Sequence, residues 1–126
     1  MSKEIIETKH APAPIGPYNQ AIKTGNLLFI SGQVALIPAT NDFANADIIT
    51  ETHQVLQNLK AILAQAGMDF SNVVKTTIFL SDMALFSDVN EIYAKYFDGA
   101  FPARETVAVK GLPKNANVEI SMIAAG

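Results

Sequence analysis

The sequence predicts an α+β fold, a β-β-α-β-α-β-β sandwich with helices on one face of a mixed sheet. Two observations indicate this class: short runs of apolar residues alternate as strands do, and two longer segments carry an apolar stripe of helical period. The length of 126 residues suits one domain, which we expect to span residues 1–126. The strands are also apolar on the face away from the helices, so we expect that face to pack against partner subunits.

The first predicted elements are a proline-rich lead-in and a hairpin. Residues 11–17 contain three prolines, each of which fixes its own φ and restricts the preceding residue, so this stretch should be rigid and non-helical. Residues 20–24 and 27–32 are expected to be two strands joined by a turn around Gly25-Asn26.

Two segments are expected to be helical. In residues 50–66 the apolar side chains follow the i, i+1, i+4, i+7, i+8, i+11 pattern of one buried face, and Gly67 can end the helix in the left-handed conformation. A second helix should start at a cap on Asp82 and run to about Phe97. Asn90 falls within the apolar stripe of this helix, where its amide either braces the backbone or lines a pocket.

Three further strands complete the predicted order. Residues 73–80, which lie between the two helical segments in sequence, show the alternation of a strand. Residues 105–110 and 117–125 form the last two strands, connected through residues 111–114. If the last two strands face each other across that connection, their polar side chains converge.

Arg104 is the only arginine of the chain, since the other basic residues are all lysine. A guanidinium grips a planar carboxylate with two parallel hydrogen bonds, a geometry that lysine cannot copy. Glu119 lies in the middle of the last strand, where a charged side chain needs a partner. By strand alternation Arg104 shares a face with Thr106, and Glu119 shares one with Ser121. The pattern predicts either a small site for an anionic molecule or an Arg104–Glu119 salt bridge.

Three residues near the predicted hairpin could contribute to such a site. Ser31 and Gly32 leave the second strand, where they either offer a hydroxyl and open backbone to a ligand or form a β-bulge or turn. Ser31 is not expected to be a nucleophile, because no histidine and acid pair is available to activate it. Tyr18 follows Gly16-Pro17 and either aims its phenol from a rigid loop or covers the core.

Composition excludes several classes of function. A formal net charge of −3 without a lysine cluster disfavours nucleic acid as the main partner, since phosphate binding needs a basic footprint. No apolar run is long enough to cross a bilayer, and the first four residues lack the features of a signal peptide. The absence of cysteine rules out disulfides, thiolate metal ligands and a cysteine nucleophile. We therefore expect a cytoplasmic protein that has no membrane partner.

The two histidines, His10 and His53, are far apart in sequence and show no metal-ligand spacing, so we expect no metal and place both at the surface. A hydrophobic content of 49% and a mean hydropathy of +0.21 are high for a chain of this size. The surplus apolar surface indicates a homo-oligomer.

Short segments spread over nearly the full length carry a resemblance to a known family. In order they are Ile15-Gly16-Pro17-Tyr18-Asn19-Gln20-Ala21, Ile30-Ser31-Gly32-Gln33, Gln54-Val55-Leu56-Gln57-Asn58-Leu59, Val74-Lys75-Thr76-Thr77, Val89-Asn90-Glu91-Ile92-Tyr93, Phe101-Pro102-Ala103-Arg104, and Leu112-Pro113 leading into Val118-Glu119-Ile120. Each segment is weak evidence by itself, but the ordered set is specific. The chain resembles the YjgF/RidA family of reactive-intermediate imine deaminases.

This resemblance implies a chorismate-mutase-like fold and a homotrimer whose sheets form a central barrel, with three sites in the clefts between subunits. The implied activity is hydrolysis of 2-imino (enamine) acids, such as 2-iminobutanoate and 2-iminopropanoate, to 2-oxo acids and ammonia, without a metal or organic cofactor. Arg104 would bind the substrate carboxylate, and Glu119 would position and activate the attacking water. The remaining pocket residues, some of them from a neighbouring subunit, would be Tyr18, Ser31, Gly32, Asn90 and Thr106.

Two positions depart from the family pattern: Thr106 stands where many members carry cysteine, and Glu105 stands where relatives often carry a small residue. By strand alternation Glu105 should point away from Arg104. Two other functions stay open. One is a non-catalytic trimeric module that binds small 2-oxo acids or regulates an enzyme. The other is RNA cleavage, which the acidic charge and the lack of a paired histidine catalyst disfavour.

Overall fold

The chain forms six strands and two α-helices, at positions close to those that the sequence pattern predicts. A computed structural model describes residues 2–126. In chain order the elements are β1 (Glu4–Ile6), β2 (Ala21–Thr24), β3 (Leu27–Gln33), α1 (Ile48–Gln65), β4 (Val73–Leu80), α2 (Phe86–Ala94), β5 (Ala103–Ala108) and β6 (Val118–Ala125). The sheet order is β1-β2-β3-β6-β4-β5, and every neighbouring pair is antiparallel except the parallel pair β4–β5. The predicted class, an α+β sandwich on a mixed sheet, is confirmed.

Two features of the sheet differ from the predicted order. The sequence pattern missed β1, which pairs antiparallel with β2 and has only three residues, too few to show a period. The possibility that the last two strands face each other is wrong, because β4 lies between β5 and β6. The chain leaves β4 through α2 and returns in β5 parallel to β4, as strands joined by a helical crossover do.

Local signals set the ends of the hairpin and of α1. Gly25 has a φ of +58°, which the turn between β2 and β3 requires, and these strands pair as predicted. Asp47 caps α1 by accepting a hydrogen bond from the Thr50 amide at 2.7 Å. Gly67, with a φ of +74°, follows the end of the helix as expected.

The second helix begins as predicted and ends early. Asp82 accepts a hydrogen bond from the Ala84 amide at 2.8 Å and caps a short 3₁₀ turn that continues into α2. The helix ends at Ala94, one turn before Phe97, which packs on the rings of Phe70 and Tyr93 instead.

The two faces of the sheet have different surroundings. One face packs on the buried stripe of α1, and residues at alternate positions of β4 and β6, such as Ile78 and Ile120, are buried there. On the other face Leu27, Phe29 and Val107 are 37%, 43% and 43% exposed. The expected uncovered apolar face is therefore present within the chain. Neither α-helix in the part of the chain described is both long and apolar enough to cross a membrane.

Candidate active site

Glu119 packs against Gly32 near one end of the sheet. The β3–β6 pairing shifts register between Ile30 and Gln33, so the bulge considered for Ser31 and Gly32 is present. A Cβ atom on Gly32 would lie 2.5 Å from Oε2 of Glu119. The carboxylate therefore occupies space that exists because residue 32 has no side chain.

A cavity of about 390 Å³ opens beside Glu119, and Tyr18, Ser31 and Gly32 line it with apolar residues such as Val34. We call this the Glu119 cavity. The Ser31 hydroxyl donates a hydrogen bond to the Asn19 carbonyl oxygen at 2.6 Å, so it is already engaged inside the chain. Tyr18 is 47% exposed, which excludes the interpretation that its ring covers the core.

Gln20 holds the proline-rich wall of the Glu119 cavity in place. Its buried amide donates to the carbonyl oxygens of Ala11 and Pro12 at 3.2 and 2.8 Å, and its Oε1 accepts from the Thr8 amide at 2.7 Å. The three prolines predicted a rigid lead-in, but they do not reveal this anchor. The available signal was the glutamine directly before the apolar pair Ala21-Ile22, because a buried amide requires partners.

The electrostatic environment of Glu119 is unusual for a surface carboxylate. Partial burial raises the pKa of Glu119 above its ordinary value by disfavouring the charged form. The Arg104–Glu119 salt bridge, one of the two alternatives that the sequence left open, does not form. Within residues 2–126 the one salt bridge joins Lys75 and Glu105, whose Nζ and Oε1 atoms are 3.2 Å apart. The carboxylate thus keeps an unsatisfied charge in a mainly apolar cavity.

Arg104 lies on the other face of the sheet. In the β4–β5 register it pairs with Thr76, which is buried beneath the helices, whereas Glu119 pairs with Phe79 on the open face. Its guanidinium carbon is 4.9 Å from the ring centroid of Tyr93. Alternation along each strand is as predicted, but the two strands turn their polar residues to opposite faces. One chain therefore cannot bring both side chains to one small molecule.

Aromatic rings of α2 hold the Arg104 guanidinium. Besides Tyr93, Phe86 lies under it at 5.7 Å from the ring centroid. The Tyr93 hydroxyl donates to Thr76 Oγ1 at 3.0 Å, which fixes the ring. Burial raises the pKa of Tyr93, although the Thr76 hydrogen bond and the Arg104 charge act in the opposite direction, so the phenol is neutral near pH 7. A cavity of about 210 Å³ opens beside Arg104 and Phe101.

Two further predicted site residues lie on this side of the sheet. Asn90 is half-buried one turn before Tyr93. Its side-chain amide makes no hydrogen bond within the described chain, so the interpretation that it braces the backbone finds no support. Thr106 shares the face of Arg104, and its Oγ1 is a buried atom without a hydrogen-bond partner among residues 2–126. We call Phe86, Asn90, Tyr93, Arg104 and Thr106 the Arg104 cluster.

Glu105 points away from Arg104, as strand alternation predicted, and its carboxylate bonds to Lys75 on the open face. His10 is exposed, as expected. His53 is half-buried instead, because its Nδ1 lies 2.8 Å from the Tyr96 hydroxyl. Residues 2–126 contain no group of three or more metal-ligating side chains placed to hold an ion.

The fold and these two sites define a small α+β protein that carries a carboxylate and a guanidinium on opposite faces of one sheet. A family model described as endoribonuclease L-PSP matches residues 8–126. The Arabidopsis thaliana protein named "Reactive Intermediate Deaminase A, chloroplastic" is 52% identical over 124 residues, which cover 98% of this chain and 66% of the relative.

Two further proteins are similar to this chain over most of its length and most of their own. The Mus musculus protein named 2-iminobutanoate/2-iminopropanoate deaminase is 48% identical over 122 residues, which cover 97% of this chain and 90% of the relative. The crystal structure of E. coli TdcF with bound serine superposes with a TM-score of 0.94 at 38% identity, covering 98% of each chain. The chain belongs to the L-PSP (YjgF/RidA) family, in which imine deaminases are named.

Proposed function

We propose that this protein hydrolyses 2-imino acids and their enamine tautomers, including 2-iminobutanoate and 2-iminopropanoate, to 2-oxo acids and ammonia. The observation that carries the proposal is the Glu119 carboxylate, half-buried in a mainly apolar cavity without a cationic partner among residues 2–126. A carboxylate whose pKa is raised by burial is a stronger proton acceptor than an ordinary glutamate side chain. The names of the Arabidopsis and mouse relatives support the reaction class.

The complete site requires two chains. Arg104 and Glu119 lie on opposite sheet faces with β4 between their strands, so a four-carbon substrate cannot reach both within one chain. We place the site between subunits of a homotrimer, where the Arg104 cluster of one chain meets the Glu119 cavity of the next. The exposed apolar residues Leu27 and Phe29 on the open sheet face supply surface for such an assembly.

The proposed reaction needs only water. Arg104 binds the substrate carboxylate through two parallel hydrogen bonds, while Tyr18, Gly32, Asn90 and Thr106 shape the pocket. Glu119 takes a proton from water as the oxygen adds to the imine carbon. It then returns this proton to nitrogen, which gives a carbinolamine. A second proton moves from the carbinolamine hydroxyl to nitrogen through the same carboxylate, so the carbon–nitrogen bond breaks as the carbonyl forms, and ammonia leaves with the 2-oxo acid. Orientation and general acid–base help of roughly 10²–10⁴-fold suffice, because the imine carbon is already electrophilic.

Complementation between inactive variants tests the inter-subunit site. Arg104→Ala and Glu119→Ala should each be inactive, yet a 1:1 mixture, unfolded and refolded together, should regain about a quarter of the wild-type sites by random assembly. Recovery arises because an intact Arg104 then faces an intact Glu119 across some interfaces. Each variant refolded by itself is the control. A mixture that stays inactive, although mixed trimers form, would contradict a shared site.

The reaction itself can be followed by trapping. A dehydratase that releases 2-iminobutanoate forms a semicarbazone when semicarbazide is present, and this protein should reduce semicarbazone formation and accelerate ammonia release. Unchanged trapping by the wild-type protein would overturn the deaminase proposal. Comparison of several imino acids in the same assay would then rank substrates.

The proposed location is the cytoplasm, whereas the Arabidopsis relative is named as chloroplastic.

A non-catalytic role is the second candidate. Arg104, stacked on the Tyr93 ring, could bind a 2-oxo acid carboxylate whether or not Glu119 acts. Tight binding of 2-oxobutanoate without any turnover of the imine would favour a binding module over the enzyme. RNA cleavage, which the family description names, has a separate test: cleavage that persists in Glu119→Ala indicates a contaminating nuclease.

A further inference from the structure

Glu51 is a fully buried carboxylate that the proposed reaction does not use. It lies in the first turn of α1 and is 0% exposed. Its Oε2 accepts a hydrogen bond from the backbone N–H of Asn117 at 2.7 Å, and its Oε1 accepts one from Asn117 Nδ2 at 2.9 Å. Both oxygens of the buried acid therefore bind a single residue, and no cation in the described chain is paired with it.

Asn117 joins three elements directly before β6. Its carbonyl oxygen accepts from the Ser81 amide at 3.0 Å, and its Oδ1 accepts from the Ser81 hydroxyl at 3.0 Å. Ser81 follows the end of β4, and Glu51 belongs to α1, so helix, strand end and strand start meet at this asparagine. Glu119 is two residues further along the chain.

The start of β6 has a strand neighbour on one side only. The β3–β6 pairing ends at Gln33 and Ile120, so Val118 and Glu119 pair with β4 but not with β3. The hydrogen bonds that Asn117 donates to Glu51 restrain the start of β6 where the second neighbouring strand is missing. Little displacement is tolerable there, because the Glu119 carboxylate is packed directly over Gly32.

We propose that Glu51 is a positioning residue for the reaction: it fixes the start of β6 and so holds the Glu119 carboxylate over Gly32 at the edge of the cavity. This inference rests on the proposed deaminase function. The choice of residue supports it, because a carboxylate accepts from both donors of Asn117 whereas an amide offers only one acceptor oxygen. Burying a charged group costs free energy unless hydrogen bonds compensate for the lost contact with water.

Reversal of the hydrogen-bond pattern provides the test. Glu51→Gln turns an NH₂ group toward a donor of Asn117, and we expect kcat to fall about tenfold while KM changes less than twofold, because catalytic geometry is disturbed and carboxylate binding is not. The double variant Glu51→Gln/Asn117→Asp restores one donor for each acceptor and should recover kcat to within about threefold of wild type. Glu91→Gln, an exposed acid on α2, is the matched control.

The outcomes separate the two proposals. A wild-type protein without deaminase activity overturns both. An active wild type with full kcat in Glu51→Gln overturns the positioning role only, as does a lowered kcat that the double variant fails to recover. If Glu51→Gln does not fold, Ser81→Ala removes only the hydroxyl bond to Asn117 and should lower kcat two- to fourfold. Unchanged kcat in that variant also overturns the role.

Discussion

Glu119 and Gly32 fit together because one of them lacks a side chain: a Cβ on Gly32 would lie 2.8 Å from Cδ and 3.1 Å from Cγ of Glu119. The contact crosses two neighbouring strands at the point where their register shifts. It sets the position of the carboxylate relative to the cavity that Tyr18 and Ser31 also line. The glycine thus takes part in the geometry of the proposed catalyst.

Gly32→Ala should therefore displace the carboxylate and lower kcat about ten- to a hundredfold, since an error of about 1 Å in catalytic geometry can cost two orders of magnitude. The fold should survive, because the carboxylate is the end of a flexible side chain that can move. Gly111→Ala is the matched control, since no atom lies within 4 Å of a Cβ built there. Steady-state kinetics and circular dichroism measure both effects; wild-type kcat in Gly32→Ala would contradict the proposed position of Glu119.

The raised pKa of Glu119 predicts how activity depends on pH. A general base must be deprotonated, so kcat/KM should fall as pH decreases through the pKa of Glu119, which burial moves above the ordinary value of 4.5. The acid limb of the pH profile should disappear in Glu119→Gln together with most of the activity. An acid limb at or below 4.5 in the wild type would contradict the assignment.

The same burial predicts that Glu119 lowers stability at neutral pH. The folded protein holds this proton more tightly than the unfolded chain does, so the wild type loses stability as pH rises through the ordinary value and then through the raised value. Glu119→Gln should have a higher free energy of unfolding than wild type at pH 7, and the difference should shrink below pH 4.5. Urea titrations at one fixed protein concentration measure it. A constant difference across this range would contradict the desolvation argument.

Arg104→Lys should lower kcat/KM by at least tenfold, about 1.4 kcal/mol of transition-state stabilisation, because lysine keeps the charge but not the two parallel hydrogen bonds. Lys110→Arg, an exposed position beyond β5, controls for the exchange of one basic residue for the other. Kinetics with 2-iminobutanoate and a thermal unfolding curve distinguish lost binding from lost folding. Full activity in Arg104→Lys would remove Arg104 from its proposed role.

The rings beneath Arg104 make separable contributions. Phe86→Leu removes a ring 5.7 Å from the guanidinium and should raise KM about two- to fivefold, as expected for a partly exposed cation–π contact. Tyr93→Phe keeps its ring but loses the hydroxyl bond to Thr76, so it should cost about 1 kcal/mol of stability with KM unchanged. Equal effects of both changes on KM would contradict stacking as the cause.

Local chemistry made much of this architecture predictable. Gly25, Gly67 and Asp82 mark a turn and helix ends through their own conformations and side chains, and these predictions are confirmed. Alternation along a strand correctly placed Thr106 with Arg104. Such signals involve residues close together in sequence, so the sequence displays them directly.

Long-range pairing was not predictable in the same way. Alternation assigns Arg104 and Glu119 to faces of their own strands, but which face is shared depends on the insertion of β6 between β3 and β4. The anchoring contacts of Gln20 and Glu51 were also missed, since Glu51 binds a residue 66 positions away. These contacts form only after the sheet has assembled, and no local pattern encodes them.

The separation of Arg104 and Glu119 on two faces has a consequence for mixed populations of chains. In the proposed trimer each chain contributes Arg104 to the site it shares with one neighbour and Glu119 to the site it shares with the other. Each chain therefore takes part in two sites at once. A chain that carries both Arg104→Ala and Glu119→Ala would then silence two of the three sites in any trimer that it joins. Such a chain would act as a dominant inhibitor of its intact counterparts, out of proportion to its abundance.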